Sequence, residues 1–487
     1  KECIFAEDSN NIICEDIVVL AQGGGIGINV EDSFNICLKD IAFTNAAGGN
    51  CISMETVSNI VFDTLSFENL NDLAINLDLC RDFDLHDLRF FPVNQILAMR
   101  ACTAGCIREV NASKNTTTGR MISIQESQDI AFDHIDISNC TLNHSMGDTG
   151  DEIARFRNLK DLSLSCSTFN NNESIDIANY TTILFDDCSR VRLEGVAANC
   201  NKGIFSVFSE TFFDNIYMGN GNDFLFKNCQ FNNTNVSKSS GSITSVNFSL
   251  VTNIRLEDCQ INGTTIETFN PANDSFDQGS QALRIVGCSV VNICDTYAND
   301  TAIKSIVKNA RTNIAFIAPA TGIFLQNITR CSIHNSQANG TTINAVLPAT
   351  GTTNNIAQGF YINDEHDLQI HNTEACRSFS AGDQAYGFYI DGTVGTDTGP
   401  TLLSHCIGSC NTATDLAAGF STHTVTDGNF DANFVTMEYC SANDNTSKLG
   451  YGFALEGSND DTISHSYASG NTTSGFFSGR LFSTGSG

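Results

Sequence analysis

Three acidic groupings and a large set of thiols are where this 487-residue chain could do chemistry. Asp186 and Asp187 form a paired carboxylate in LFDDCS. A glycosidase needs two carboxyls about 5 to 9 Å apart across the bond it cleaves. Asp133 and His134 are adjacent, and Asp364, Glu365 and Asp367 surround His366 in YINDEHDLQI. Carboxylate oxygens of that last kind suit a hard cation such as calcium, or the hydroxyls of a sugar. Each grouping falls at a turn between apolar pairs, where outward carboxylates are ordinarily solvated. No catalytic residue is therefore assigned. No metal or other cofactor is expected, although Asp364, Glu365 and Asp367 are the candidates were calcium to bind. GGGIG at 23–27 lacks the strand–helix context of a phosphate loop and reads as a turn. Four aromatics could stack on sugars, Phe360, Tyr361, Phe388 and Tyr389, but they alternate along their strands, so only some can face outward.

Twenty cysteines are many for a chain of this length. Zinc-type CxxC spacing is absent, and Cys102/Cys106 and Cys406/Cys410 are CxxxC pairs without histidine partners in pattern. Cys229, Cys259, Cys288, Cys406 and Cys440 are placed on a common inward slot of a repeat, a stack of buried thiols acting as small hydrophobes. Stacking in adjacent coils would bring sulfurs within disulfide reach, at about 5 Å between strands.

The repeat behind that placement is clearest at 55–69, ETVSNIVFDTLSFEN. Shifted back by 24 positions it overlies EDSFNICLKDIAFTN, with Ile60, Phe62, Leu65 and Phe67 on Ile36, Leu38, Ile41 and Phe43. The two–three–two spacing describes two short period-2 strands with a one-residue bend between them. The first slot recurs at Ile12, Ile36, Ile60, Phe83, Ile107, Ile130, Leu162, Val191, Phe224, Ile254 and Leu283, and later near Cys331, Leu368, Thr401, Val435 and Asp461. A further strand, Gly-apolar-x-apolar, precedes each pair, at Gly25, Gly322, Gly359, Gly387, Gly419, Gly452 and Gly475; its glycine would permit a sharp corner or positive φ. A period of this size marks a solenoid. The expectation is an all-β, right-handed, three-sided parallel β-helix of about sixteen coils, each of roughly 23–37 residues, running as one continuous domain over 1–487. Coils of about 24 residues occupy 1–150, and coils with longer loops fill 151–487. Asn at 45, 69, 139, 170, 199, 233, 292, 443 and 471 follows the third strand and is expected to form a coil-to-coil amide ladder.

The repeated [ST]xN[IV]x[LF]xx[ILC]x[FIA]xN unit and the Gly-led strand resemble the right-handed parallel β-helix superfamily, which includes pectate lyases, polygalacturonases, phage tailspikes and proteins with NosD-type repeats. The resemblance spans essentially the whole chain and implies the fold. It implies no single function, because enzymes, adhesins and fibres share this architecture. The polygalacturonase motifs and the lyase arginine segment are missing from the sequence.

Charge excludes some partners. With 25 Lys+Arg against 55 Asp+Glu, the formal charge of −30 argues against nucleic acid. No apolar run approaches the ~18 residues of a spanning helix, so membrane insertion is not expected. Sixteen N-x-S/T sequons occur, including Asn111, Asn115, Asn143, Asn179, Asn235, Asn273, Asn299, Asn339, Asn445 and Asn471, and are candidates for glycosylation. The chain starts at Lys1 with the repeat in phase by Ile12, as expected of a processed or trimmed form with little room for a cap. Head-to-tail or lateral self-association follows from such ends. The functional expectation is a structural extracellular, cell-surface or virion-surface fibre or adhesin, with a polysaccharide-processing enzyme or a passive glycan-binding module as the alternative.

Overall fold

The computed structural model of the chain describes residues 2–20, 25–45, 49–117, 120–143, 152–177, 179–205, 212–269, 279–306, 316–344, 353–363, 367–381, 383–392, 400–424, 435–456 and 461–473. Among these residues there is no helix. Strand follows strand in parallel register from coil to coil, as in Asn10–Glu15 on Phe34–Thr44 and Cys331–His334 on Leu368–His371. The fold is a parallel β-helix. It divides into two compact units, Lys1–Ile204 with Asn215–Gln230, and Phe205–Asp214 with Phe231–Gly487.

In the first unit the apolar slots align as the spacing predicts, Ile12, Ile36, Ile60 and Phe83 lying side by side. The next coil departs from expectation, because Gly105 and not Ile107 takes that slot beside Phe83 and Ile130. A Cβ on Gly105 would lie 1.9 Å from the Phe83 ring, so the ring fills the space a side chain would need. Inward rings stack along the unit, Phe43 on Phe67 at 5.0 Å and Phe67 on Phe90 at 4.8 Å.

In the second unit Ile254, Val291, Cys331, Leu368, Thr401 and Val435 share the slot. Leu283 does not. It pairs with Val246 and Ile323 in the Gly-led strands. LRIV and VVNI both alternate with period two, so pattern alone can assign the wrong strand while keeping the right face. Coil-to-coil separation is 22 residues at Asp78–Arg100 and 40 at Asn299–Asn339, a wider range than the repeat suggested. Phe360, Phe388, Phe420 and Phe453 stack at 4.8, 4.9 and 5.1 Å in this unit's interior. The leading glycines serve close approach, not positive φ: a Cβ on Gly359 would stand 2.8 Å from the Gly387 carbonyl oxygen of the next coil.

The one-residue bend has a single backbone solution. Its residue adopts φ between 45° and 64° in every described coil: Asp16, Asp40, Thr64, Asp87, Glu109, His134, Cys166, Gly195 and Asn228 in the first unit, and Asp258, Asp295, Asn335, Asn372, His405, Tyr439 and His465 in the second. Asp, Asn and Gly enter this left-handed region at little cost, whereas larger side chains are strained there.

Candidate functional site

The acidic groupings singled out in the sequence are mostly structural. Asp186 pairs with Arg157 at 3.6 Å, and Asp187 holds an exposed corner at φ 53°. Asp364 and Glu365 lie outside the described residues, and Asp367 is exposed at φ 60°. Asp133 Oδ2 and His134 Nδ1 lie 2.9 Å apart, and both side chains are largely exposed.

All twenty cysteines are free thiols. Cys229, Cys259, Cys288, Cys406 and Cys440 are buried, but they do not form one stack. Cys259, Cys406 and Cys440 accept backbone bonds from Tyr297, Ser441 and Tyr467 just after the bend, whereas Cys288 accepts from Thr329 at the preceding corner. Cys288 moves with the Leu283 slip. Burial pushes the Cys140 and Cys188 thiols up to about 11 and Cys51 and Cys376 to about 12, which leaves them poor nucleophiles.

Five of the described sequon asparagines are unsuited to carry glycans: Asn115, Asn172, Asn247, Asn339 and Asn445 are buried. Asn115 Nδ2 donates to Ala112 O at 2.8 Å, and Asn445 Nδ2 donates to Asn471 Oδ1 at 2.8 Å. Asn411, Asn445 and Asn471 form the amide ladder proper, Asn411 Nδ2 donating to Asn445 Oδ1 at 2.9 Å. A second row passes backbone N–H bonds through Asn262, Asn299 and Asn339. Among the other candidates, Asn111 and Asn179 are exposed, and Asn143, Asn235, Asn299 and Asn471 are half-buried. Asn273 lies outside the described residues.

Of the aromatics, Phe360 and Phe388 face inward, and Tyr361 and Tyr389 face outward from the Gly-led strands yet are buried with Phe324, Tyr386 and Ala418. Polar groups meet at that layer. Asn363 Nδ2 donates to the Tyr361 hydroxyl at 2.9 Å, and His423 lies 3.5 Å from the Asp391 carboxylate. In the same unit Asp214 receives Asn247 Nδ2 at 3.3 Å. Burial pushes the Asp214 carboxyl up to about 7 against the opposing pull of Arg284 and Asn247.

The feature the sequence pattern did not reveal is an exposed ring ladder in the second unit. His334 and His371 end adjacent strands with centroids 6.0 Å apart, and His371 meets His405 edge-on at 5.2 Å. His405, Tyr439 and His465 then stack in successive bends at 5.0 and 4.9 Å. All five are exposed. Stacked rings cover one another's faces and turn their polar edges to solvent, so they offer imidazole nitrogens and a phenol hydroxyl at one-coil intervals. Ser332 Oγ lies 2.6 Å from His334 Nε2 and Ser404 Oγ lies 2.9 Å from His405 Nδ1. Such a comb can hydrogen-bond a repeating hydroxylated or anionic chain. The signal lay in the bend position itself, but its members are separated by variable loops, and only structural register shows them to be neighbours.

No protein-family model and no curated protein sequence matches this chain. Among solved structures it is similar to PfbA, a surface adhesin of Streptococcus pneumoniae, at 8% identity over 88% of this chain and 84% of that one, with a TM-score of 0.25. It is also similar to the periplasmic alginate epimerase AlgG, at 7% identity over 88% and 77%, with a TM-score of 0.26. A tailspike protein of an E. coli bacteriophage follows at 11% identity over 91% and 74%, with a TM-score of 0.29. The fold rests on the strand register of the chain itself.

Proposed function

We propose that the chain is a structural protein of an extracellular, cell or virion surface that associates end to end with further copies of itself. The observation that carries this reading is the coil-to-coil register. Successive coils pair in parallel through Ile12, Ile36, Ile60 and Phe83 in the first unit and through Ile254, Val291 and Cys331 in the second, so each coil offers one strand edge that matches the opposite edge of another. A coil of a second copy adding in that register makes a heterologous contact that propagates. The net charge of −30 opposes side-by-side packing and so favours growth along the coil axis. Negative-stain microscopy and sedimentation of the purified chain test this. Elongated multimers are expected; single particles at high concentration would overturn the reading.

A second reading, passive glycan binding, is favoured by the exposed ladder His334, His371, His405, Tyr439 and His465. Incubation with acidic and neutral polysaccharides separates the readings. Retention without turnover supports binding, and new reducing ends or unsaturated products would establish an enzyme instead.

A further inference from the structure

In the first unit the bend departs from Asp, Asn and Gly at Thr64, Glu109, His134 (φ 54°) and Cys166 (φ 45°), the last two offering metal-ligating side chains in adjacent coils. Asp133 precedes His134, and ligand atoms of Asp133, His134 and Cys166 all lie within 4.8 Å of one another. We propose that these three residues form a binding site for a borderline-soft divalent cation, of which zinc is the type. The donors are one carboxylate oxygen, one imidazole nitrogen and one thiolate sulfur, a mixture that selects such an ion over calcium or magnesium.

The geometry is close to what the ion requires. With metal–ligand bonds of about 2.0 to 2.3 Å, tetrahedral ligand atoms stand roughly 3.3 to 3.8 Å apart. The Asp133–His134 pair at 2.9 Å therefore opens by a few tenths of an ångström and the longest separation, up to 4.8 Å, closes by about 1 Å, and His134 and Cys166 are exposed enough to move so far. The carboxylate is already oriented, because Ser165 Oγ donates to Asp133 Oδ1 at 2.7 Å and leaves Oδ2 for the cation. Such outer hydrogen bonds characteristically fix metal-binding carboxylates. The fourth position opens to solvent, so the ion would keep a water or accept a donor from a partner. Binding replaces the Asp133–His134 contact of 2.9 Å, takes His134 Nδ1 without its proton, which moves to Nε2 or leaves for solvent, and releases the thiol proton of Cys166 to solvent.

A structural explanation of these residues predicts no metal chemistry, which makes the site testable. Cobalt(II), a spectroscopic substitute for zinc, is titrated into the full chain under reducing conditions. One equivalent should produce the thiolate-to-cobalt charge-transfer absorption and tetrahedral visible bands, and zinc should bleach both. Cys166→Asn and His134→Asn place at the bend the residue that other coils use there, so both variants should fold and melt at or somewhat above the parent. Cys166→Asn should abolish the charge-transfer band, and His134→Asn should weaken binding at least tenfold. A band that survives Cys166→Asn, or no saturable binding at all, would overturn the proposal.

Discussion

The bend column of the first unit and that of the second solve the same backbone problem with different residues. In both, φ is held near 45° to 64°. The first column is acidic at Asp16, Asp40, Asp87 and Glu109, and charged pairs link neighbouring coils nearby, Lys39 to Glu15 at 3.1 Å and Arg108 to Asp84. The second column passes from Asp258 through Asn335 and Asn372 to His405, Tyr439 and His465. A bulky residue held in left-handed backbone costs on the order of 1–3 kcal/mol and persists only where the surroundings enforce it. The two runs of adjacent coils that abandon Asp, Asn and Gly in favour of ring or thiol side chains are the donor cluster at His134 and Cys166 and the ring ladder.

The largest effect should show that the units do not differ inside. Phe67→Ala and Phe388→Ala each remove a ring stacked between two others, and each should cost about 3–5 kcal/mol by chemical denaturation. A loss confined to one unit would break the equivalence. Next comes Asp214. Its folded carboxyl is raised to about 7 from an ordinary value of 3.8, so the folded chain holds a proton that the unfolded chain has released. This contribution to stability is complete below pH 4 and is lost as pH rises towards 7. Asp214→Asn should flatten the pH dependence of the second unit's melting across that window, and an unchanged profile would reject the assignment. The smallest effects bear on the bends. Glu109→Asn relieves strain with no ring contact to lose and should stabilise by about 1 kcal/mol. Tyr439→Asn relieves similar strain but gives up two stacking contacts of about 0.5–1.5 kcal/mol each, so its melting should barely move or fall slightly. Equal gains at both positions would mean the ladder is held by nothing of its own.

Much of the fold was legible because two–three–two spacing encodes strand, bend and strand directly. Ile36, Leu38, Ile41 and Phe43 pair with Ile60, Phe62, Leu65 and Phe67 as the alignment required. The slips have physical causes. Gly105 carries no apolar side chain, so Ile107 was the nearest residue that fitted the pattern. At Leu283 two consecutive strands offered the same alternation. The candidate sites were harder to see. Asp133 and His134 are adjacent in sequence, but Cys166 comes a whole coil later, and only the ladder of Gln128–Asp136 on Lys160–Ser165 brings it alongside. The rings of His405, Tyr439 and His465 are likewise joined by register, across loops whose lengths follow no period.

The buried amide ladder has a consequence for biosynthesis. Asn115, Asn172, Asn247, Asn339 and Asn445 each begin an N-x-S/T sequence, yet each side chain must end buried. Oligosaccharide transfer acts on unfolded chain, and a sugar attached there would keep the amide from reaching its partner and prop adjacent coils apart. Synthesis in a host that glycosylates nascent chains would therefore set modification against closure of the solenoid at these five points. A host lacking that machinery leaves the ladder free to zip.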